Sequence, residues 1–127
     1  RHNRIKQMVK VINPKRSEIW LVEFDPQVAS EIKKTRPAIV LSISDVESIP
    51  TRYVVPIRHF EEKFRNIYYF YELTPDKKNN LEKNSFVDCN QAKSVSIQRF
   101  KHKIGIISKS EINEIVNTIG LIIGYQE

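Results

Sequence analysis

A chain of 127 residues, 40% hydrophobic and 28% charged, has the size and balance of one globular domain with a real core. No apolar run approaches the roughly 20 residues of a membrane helix, and the opening residues, Arg1 to Gln7, are polar and basic rather than a secretory leader. The net charge of +6 fits a polyanionic partner, either nucleic acid or an acidic protein segment, although composition does not choose between them.

Residues 1–16 read as a basic lead-in that ends in the turn Asn13-Pro14-Lys15-Arg16. Arg1, Arg4 and Lys6 supply three of the six excess charges, so residues 1–7 (a natural extension or a cloning remnant) carry half of the basic balance. Residues 17–127 read as a single domain. Its first strand is predicted at Glu18 to Phe24, rich in β-branched and aromatic residues and closed by Asp25-Pro26. A polar loop follows, with a carboxylate, two lysines, a threonine and an arginine between Glu31 and Arg36. Pro37 opens the next strand, and the apolar block Ala38 to Leu41 suits a strand buried on both faces.

Ser44 to Pro50 is a connection with room for a helical turn. Arg52 to Ile57 is a third strand; Pro56 lacks a ladder donor, so that end belongs at an edge, a bulge or a barrel corner. His59 to Asn66 is a charged excursion with Phe60 and Phe64 one helical turn apart. Ile67 to Leu73 reads as a fourth strand, Thr74 to Asn80 as a turn, Ser85 to Cys89 as a short strand and Lys103 to Ile107 as the last. Ser108-Lys109-Ser110-Glu111 is a capping box. Ile112, Ile115, Val116 and Ile119 then make one apolar stripe of a helix that stops at Gly124. Short strands with one terminal helix imply a mainly β fold, a small and partly open barrel.

The chemistry is bounded by what is missing. His2, His59 and His102 are scattered without metal-ligand spacing, and no glycine-rich phosphate loop is present, so neither metal nor cofactor is expected. The lone Cys89 has no internal disulfide partner, fits a reducing cytoplasm and reads as a small buried residue. Three segments remain that can meet on one face: the loop Glu31 to Arg36, the end of the third strand with Arg58 and His59, and Gln91-Ala92-Lys93-Ser94. Carboxylate, cations and amides suffice for RNA cleavage by the ribose 2′-hydroxyl. The substrate brings its own nucleophile, and the protein aligns the phosphate, neutralises developing charge and moves two protons. Glu31 or His59 would take the hydroxyl proton and Arg36 would face the phosphate. The plainer alternative is that Glu31 pairs with Lys33, Lys34 or Arg36 and that the lysines are solvated. Phe60 and Phe64 are offered as exposed platforms for stacking bases.

The ordered motifs Glu18-Ile19-Trp20, Phe24-Asp25-Pro26, Thr35-Arg36-Pro37-Ala38-Ile39-Val40-Leu41-Ser42, Val54-Val55-Pro56-Ile57, Asn84 to Val95, Arg99 and Lys103-Ile104-Gly105 resemble the MazF/PemK toxins of bacterial toxin–antitoxin pairs. The resemblance covers Glu18 to Gly124. It implies an SH3-like barrel with a C-terminal helix and a cytoplasmic homodimer. It implies a metal-independent, sequence-specific endoribonuclease that cuts single-stranded mRNA to 2′,3′-cyclic phosphate and 5′-hydroxyl ends. It also implies a cognate antitoxin whose acidic tail occupies the RNA site, in a complex that binds DNA.

Carried over residue by residue, the resemblance makes Arg36 and Glu31 catalytic. It matches Gln91, Lys93 and Ser94 to the family's second motif, as RNA-binding residues; the loop residues Lys33, Lys34 and Thr35, and Phe60 of the charged excursion, join them as RNA-binding candidates on their own chemistry. The chain also departs from the pattern. Arg58 stands where the family usually has threonine, Ser30 where one branch has histidine, Asn90 where that branch has aspartate and Asp88 where it has arginine. Ser17 and Ala29 replace glycines. Arg58 or His59 is therefore expected to fill the threonine's role. The competing readings are a weakly active or inactive RNA- or antitoxin-binding member, and a gyrase-poisoning toxin of the CcdB type. The latter is disfavoured by the ending Gly124-Tyr125-Gln126-Glu127, which lacks Trp-Gly-Ile.

Overall fold

The computed structural model describes residues 12–24, 34–43 and 48–125, and the statements below concern those residues. Seven strands and one α-helix follow in order: β1 (Glu18–Phe24), β2 (Lys34–Val40), β3 (Thr51–His59), β4 (Phe70–Leu73), β5 (Ser85–Asp88), β6 (Lys93–Ser96), β7 (Phe100–Ile106) and α1 (Lys109–Ile122). The strands are ordered β4-β5-β3-β2-β1-β7, with β6 alongside β3, and all pairings are antiparallel. The fold is the expected one, mainly β and open, with a C-terminal helix.

The apolar block in β2 is buried on both sides: Ala38, Ile39 and Val40 are all 0% exposed. The period-two alternation of a strand divides them between two cores. Ile39 and Leu41 join Ile19, Val55, Ile57 and Val87 under Ile112 and Ile115 of α1. Ala38 and Val40 join Trp20, Val22, Val54, Val95 and Phe100, a cluster drawn from β1, β2, β3, β6 and β7, which means that the sheet curls over on itself. Trp20 and Phe100 meet there edge to face, 5.8 Å apart.

Two prolines set where the sheet divides. β3 pairs with β6 over Thr51 to Val54 and with β5 over Ile57 to His59, so the handover falls at Pro56, the corner its missing donor required. Pro37 does not open its strand. β2 begins three residues earlier, because β1 pairs with it as far as Phe24 opposite Lys34. The Leu41 amide donates to the Tyr53 carbonyl of β3, so by alternation residue 37 also turns toward β3, where it has no N–H to offer. Pairing between β2 and β3 accordingly stops at Ala38 opposite Pro56.

Other differences from the sequence reading have local causes. Residues Glu62–Asn66 form a 3₁₀ helix, and β4 starts only at Phe70. Phe64 is not an exposed platform: it is 5% exposed and wedged between Phe70 and Phe86, at ring distances of 4.3 and 5.7 Å. The short polar strand β6 lacks the alternation that would have marked it. Arg52 is buried in β3. Its Nε donates to the Pro14 carbonyl at 2.9 Å and its Nη2 to Asn13 Oδ1 at 2.9 Å, latching the lead-in turn to the barrel. The helix cap forms as expected: Ser108 Oγ accepts from the Glu111 amide at 3.1 Å, and the Glu111 carboxylate accepts from the Ser108 amide at 2.9 Å. The chain leaves α1 through Gly124 at φ +80°, which a side chain would disfavour.

Candidate functional site

Where β2 and β3 part, the continuing register would set Arg36 opposite Arg58, two positions beyond the last pair. Like charges directly opposite disfavour pairing, and Pro37 withholds the hydrogen bond that would oppose their separation. The result is a cleft with an arginine on each lip. Both arginines line two hollows. The larger, of about 640 Å3, is bounded also by Thr35, Pro37, Ile57, His59, Leu81 and Glu82 among others. The smaller, of about 270 Å3, is closed by Phe24, Pro56, Asp88, Gln91 and Lys93. A cationic ridge thus stands between two concave surfaces.

The two arginines are held differently. Arg58 Nη1 lies 3.5 Å from Asp88 Oδ2, and the guanidinium sits over the rings of Phe64 and Phe70 at 5.1 and 6.0 Å. The Arg58 side chain stays 40% exposed while that of Asp88 is 6% exposed, so a buried carboxylate anchors a cation that still faces the cleft. Burial pushes the Asp88 carboxyl above its ordinary pKa, against the opposing pull of the Asn90 amide and of Arg58. Two of the chain's departures from the family pattern, Arg58 and Asp88, are therefore each other's partners. Among the described residues no carboxylate pairs with Arg36.

Of the residues singled out in the sequence, Arg36, Arg58, Gln91 and Lys93 meet around the smaller hollow, with Lys93 Nζ 5.2 Å above the Phe24 ring. Thr35 and His59 line the larger one. His59 also borders a third hollow with Phe60, Lys83 and Asn84. Phe60 is only partly exposed, stacked on Phe86 at 5.4 Å with the Arg65 guanidinium over its ring. Ser94 is exposed on β6 opposite Tyr53 and lines none of these hollows. The backbone of Lys34 begins β2. Glu31 and Lys33 lie outside the described residues. Cys89 is buried as expected, and burial, with the neighbouring Asp88 charge, pushes its thiol up to about 12.

Sequence reasoning missed the Asn80–Ser85 wall of the larger hollow. The available signals were the Asn79-Asn80 pair, which reads by itself as part of a turn, and Gly105, which reads by itself as part of the last strand. No helix among the described residues is long and apolar enough to cross a membrane.

Residues 15–123 match the family of PemK-like, MazF-like toxins of type II toxin–antitoxin systems. The endoribonuclease MazF9 of Mycobacterium tuberculosis is 26% identical over 110 residues, which span 84% of this chain and 93% of that protein. Among solved structures, the MazF of Deinococcus radiodurans superposes with a TM-score of 0.73 at 18% identity, over 90% of this chain and 99% of its own. The Mycobacterium tuberculosis toxin MazF-mt6 gives 0.69 at 19% identity, over 87% and 99%. A MazE–MazF complex from Deinococcus radiodurans gives 0.69 at 16% identity, over 91% and 100%. At these identities the structures speak for the fold, while the family match spans most of the chain: the protein belongs to the PemK-like, MazF-like toxins of type II toxin–antitoxin systems.

Proposed function

We propose that the chain is an endoribonuclease toxin that cleaves single-stranded mRNA by attack of a ribose 2′-hydroxyl on the adjacent phosphate, without a metal ion. The observation that carries this reading is the pair of arginines at the parted ends of β2 and β3, with Gln91 and Lys93 beside them. A phosphodiester laid on that ridge meets two planar, permanently charged donors. As the 2′-oxygen bonds to phosphorus, negative charge grows on the non-bridging oxygens, and fixed cations there lower the barrier. The bond to the 5′-oxygen breaks, leaving a 2′,3′-cyclic phosphate and, after protonation, a 5′-hydroxyl.

Arg36 acts by its charge and by donating hydrogen bonds to the phosphate oxygens, since a guanidinium holds its proton too tightly to be left deprotonated as a base. His59, exposed on the rim of the larger hollow, and the loop carboxylate Glu31 are the candidates to receive the 2′-hydroxyl proton. Gln91, Lys93, Thr35, Lys33, Lys34 and Phe60 contribute RNA contacts; Ser94 stands apart on β6 and contributes least. A homodimer in the cytoplasm, inhibited by an antitoxin whose acidic segment occupies the same cationic cleft, completes the reading. One solved relative is an endoribonuclease in complex with its cognate antitoxin.

The test is incubation with a long single-stranded RNA in EDTA, followed by mapping of the new ends. Discrete cuts bearing 5′-hydroxyl groups are expected from the wild type, with a loss of at least about a hundredfold in Arg36→Ala, in line with removal of one transition-state donor. Full cleavage by Arg36→Ala removes that residue from the chemistry. Retained RNA binding without cleavage by the wild type favours the inactive RNA-binding reading.

A further inference from the structure

The turn Asp76 to Asn80 is built to hold still. Asp76 Oδ1 accepts from the amides of Lys78 and Asn79, at 2.9 and 2.7 Å. The fully buried Asn79 is spent entirely on the turn. Its Oδ1 accepts from the Asp76 and Leu81 amides, both at 3.0 Å, and its Nδ2 donates to the Thr74 carbonyl at 2.9 Å. Asn80 takes a left-handed φ of 56° and donates to the Ile104 carbonyl of β7 at 2.9 Å, and the Ile106 amide donates to the Lys78 carbonyl at 3.0 Å. Gly105 permits this approach, because a Cβ there would lie 2.5 Å from the Asn79 carbonyl oxygen.

So much internal bonding is more than a reversal needs; it fixes the backbone from Asp76 to Leu81 against β7, and the residues that follow, Glu82, Lys83 and Ser85, line the larger hollow together with Asn80 and Leu81. The hollow has an apolar floor of Pro37, Ile57, Leu81 and Ile104 and begins at the arginine ridge. Glu82 and Lys83 face it, and among the described residues neither side chain is tied into an ion pair or hydrogen bond. An apolar slot with a few fixed polar groups at its rim is the usual form of a small-ligand site.

We propose that this hollow is a base-reading subsite that takes a guanine next to the phosphate held by Arg36 and Arg58. Guanine presents two adjacent donors, N1–H and the 2-amino group, beside the O6 acceptor on its Watson–Crick edge. The Glu82 carboxylate accepts from the two donors, and the Lys83 ammonium donates to O6. Adenine and cytosine offer that pair one amino donor, and uracil one ring N–H between two carbonyls, so each leaves part of the pair unmatched. The bonded turn matters because it fixes the backbone that leads into Glu82 and Lys83 before the base arrives, so that only the two side chains have to be ordered on binding.

The inference rests on the ribonuclease reading for its biological setting, but the test does not require cleavage. Fluorescein-labelled 2′-O-methyl pentanucleotides, uridine except for a central A, C, G or U, are titrated against the full chain by anisotropy. The guanine oligonucleotide is expected to bind about tenfold more tightly than the others, the discrimination of a good bidentate base contact. Glu82→Gln is expected to bring it within about threefold of them. That side chain is exposed, so the substitution leaves the fold intact. Equal affinity for the four bases, as follows if a second copy of the chain fills the hollow, overturns the proposal. So does a guanine preference that survives in Glu82→Gln. Guanine-selective binding with no cleavage of the matching ribonucleotide refutes the ribonuclease and leaves the subsite standing; cleavage without guanine selectivity does the reverse.

Discussion

Asp88 shows how one residue changes the meaning of another. On its own Arg58 is a bulky cation where a small hydroxyl was expected. Beside a buried carboxylate and two aromatic rings, it is a guanidinium held on one side and still partly exposed to the cleft. Asp88→Asn keeps the side-chain volume and removes the charge. The variant is expected to lower kcat/KM for RNA cleavage by about tenfold, the scale of a hydrogen bond to a charged group. In an Arg58→Ala background the same substitution should change nothing further. Steady-state kinetics on a short fluorogenic RNA measure both effects. Equal losses in the two backgrounds would mean that Asp88 acts through the fold rather than through Arg58.

At the level of elements, the fold is anchored where β1 begins. Glu18 accepts from the Lys15 amide and the Trp20 indole N–H, each at 2.9 Å, and from Lys103 Nζ of β7 at 3.2 Å. Burial raises its pKa, but these three donors outweigh burial and hold the carboxylate below its ordinary value of 4.5. A carboxyl lowered in the native state favours folding fully above the unfolded value, and that contribution is lost as the pH falls through the native one. Urea melts of the wild type should therefore lose stability below about pH 4.5 more steeply than melts of Glu18→Gln. A common slope for the two proteins would show that the carboxylate is not held by these contacts. The reach of β1 also explains why β2 and β7 are longer than their contiguous apolar runs. Backbone pairing carries β2 back to the polar Lys34, and carries β7 across the polar Lys101 and His102 to the buried Phe100, and sequence periodicity carries no mark of that extension.

For the molecule as a whole, charge and apolar exposure point to different partners. Arg36, Arg58 and Lys93 concentrate cations at one cleft. Binding of an uncleavable RNA should weaken with salt along a log–log slope of about −2, since each phosphate neutralised on a single strand contributes roughly 0.7. A slope near zero would deny those cations any phosphate contact. At the end of α1, Leu121, Ile123 and Tyr125 are 68, 73 and 65% exposed, apolar surface of the kind that a second copy covers. Analytical ultracentrifugation is expected to find a dimer, and Leu121→Lys with Ile123→Lys to shift it toward monomer. A wild type that sediments as a monomer at micromolar concentration removes the homodimer from the functional reading.

Much of this was legible in the sequence, and the boundary is a physical one. The strand at Glu18 to Phe24, the doubly buried block from Ala38, the capped helix and the corner at Pro56 are local facts. They follow from periodicity, hydroxyl caps and a missing N–H, and such signals survive in a linear string. The candidate site was legible only as a set of residue types. Arg36, Arg58, Gln91 and Lys93 could be named, but their meeting depends on two strands that part beyond Ala38 and Pro56, and so on pairing between segments far apart in the chain. Phe64 shows the same limit in reverse: its charged neighbours made it look exposed, while β4 and β5 bury it. The partnership of Arg58 with Asp88, and the wall that Gly105 allows to pack on β7, exist only because the folded sheet brings residues 30 and 26 positions apart into contact. Composition and pattern by themselves determined the class of fold, the basic character and the residues available for chemistry. Tertiary structure alone decided which of those residues face one another, because that depends on strand register and sheet curvature rather than on sequence order.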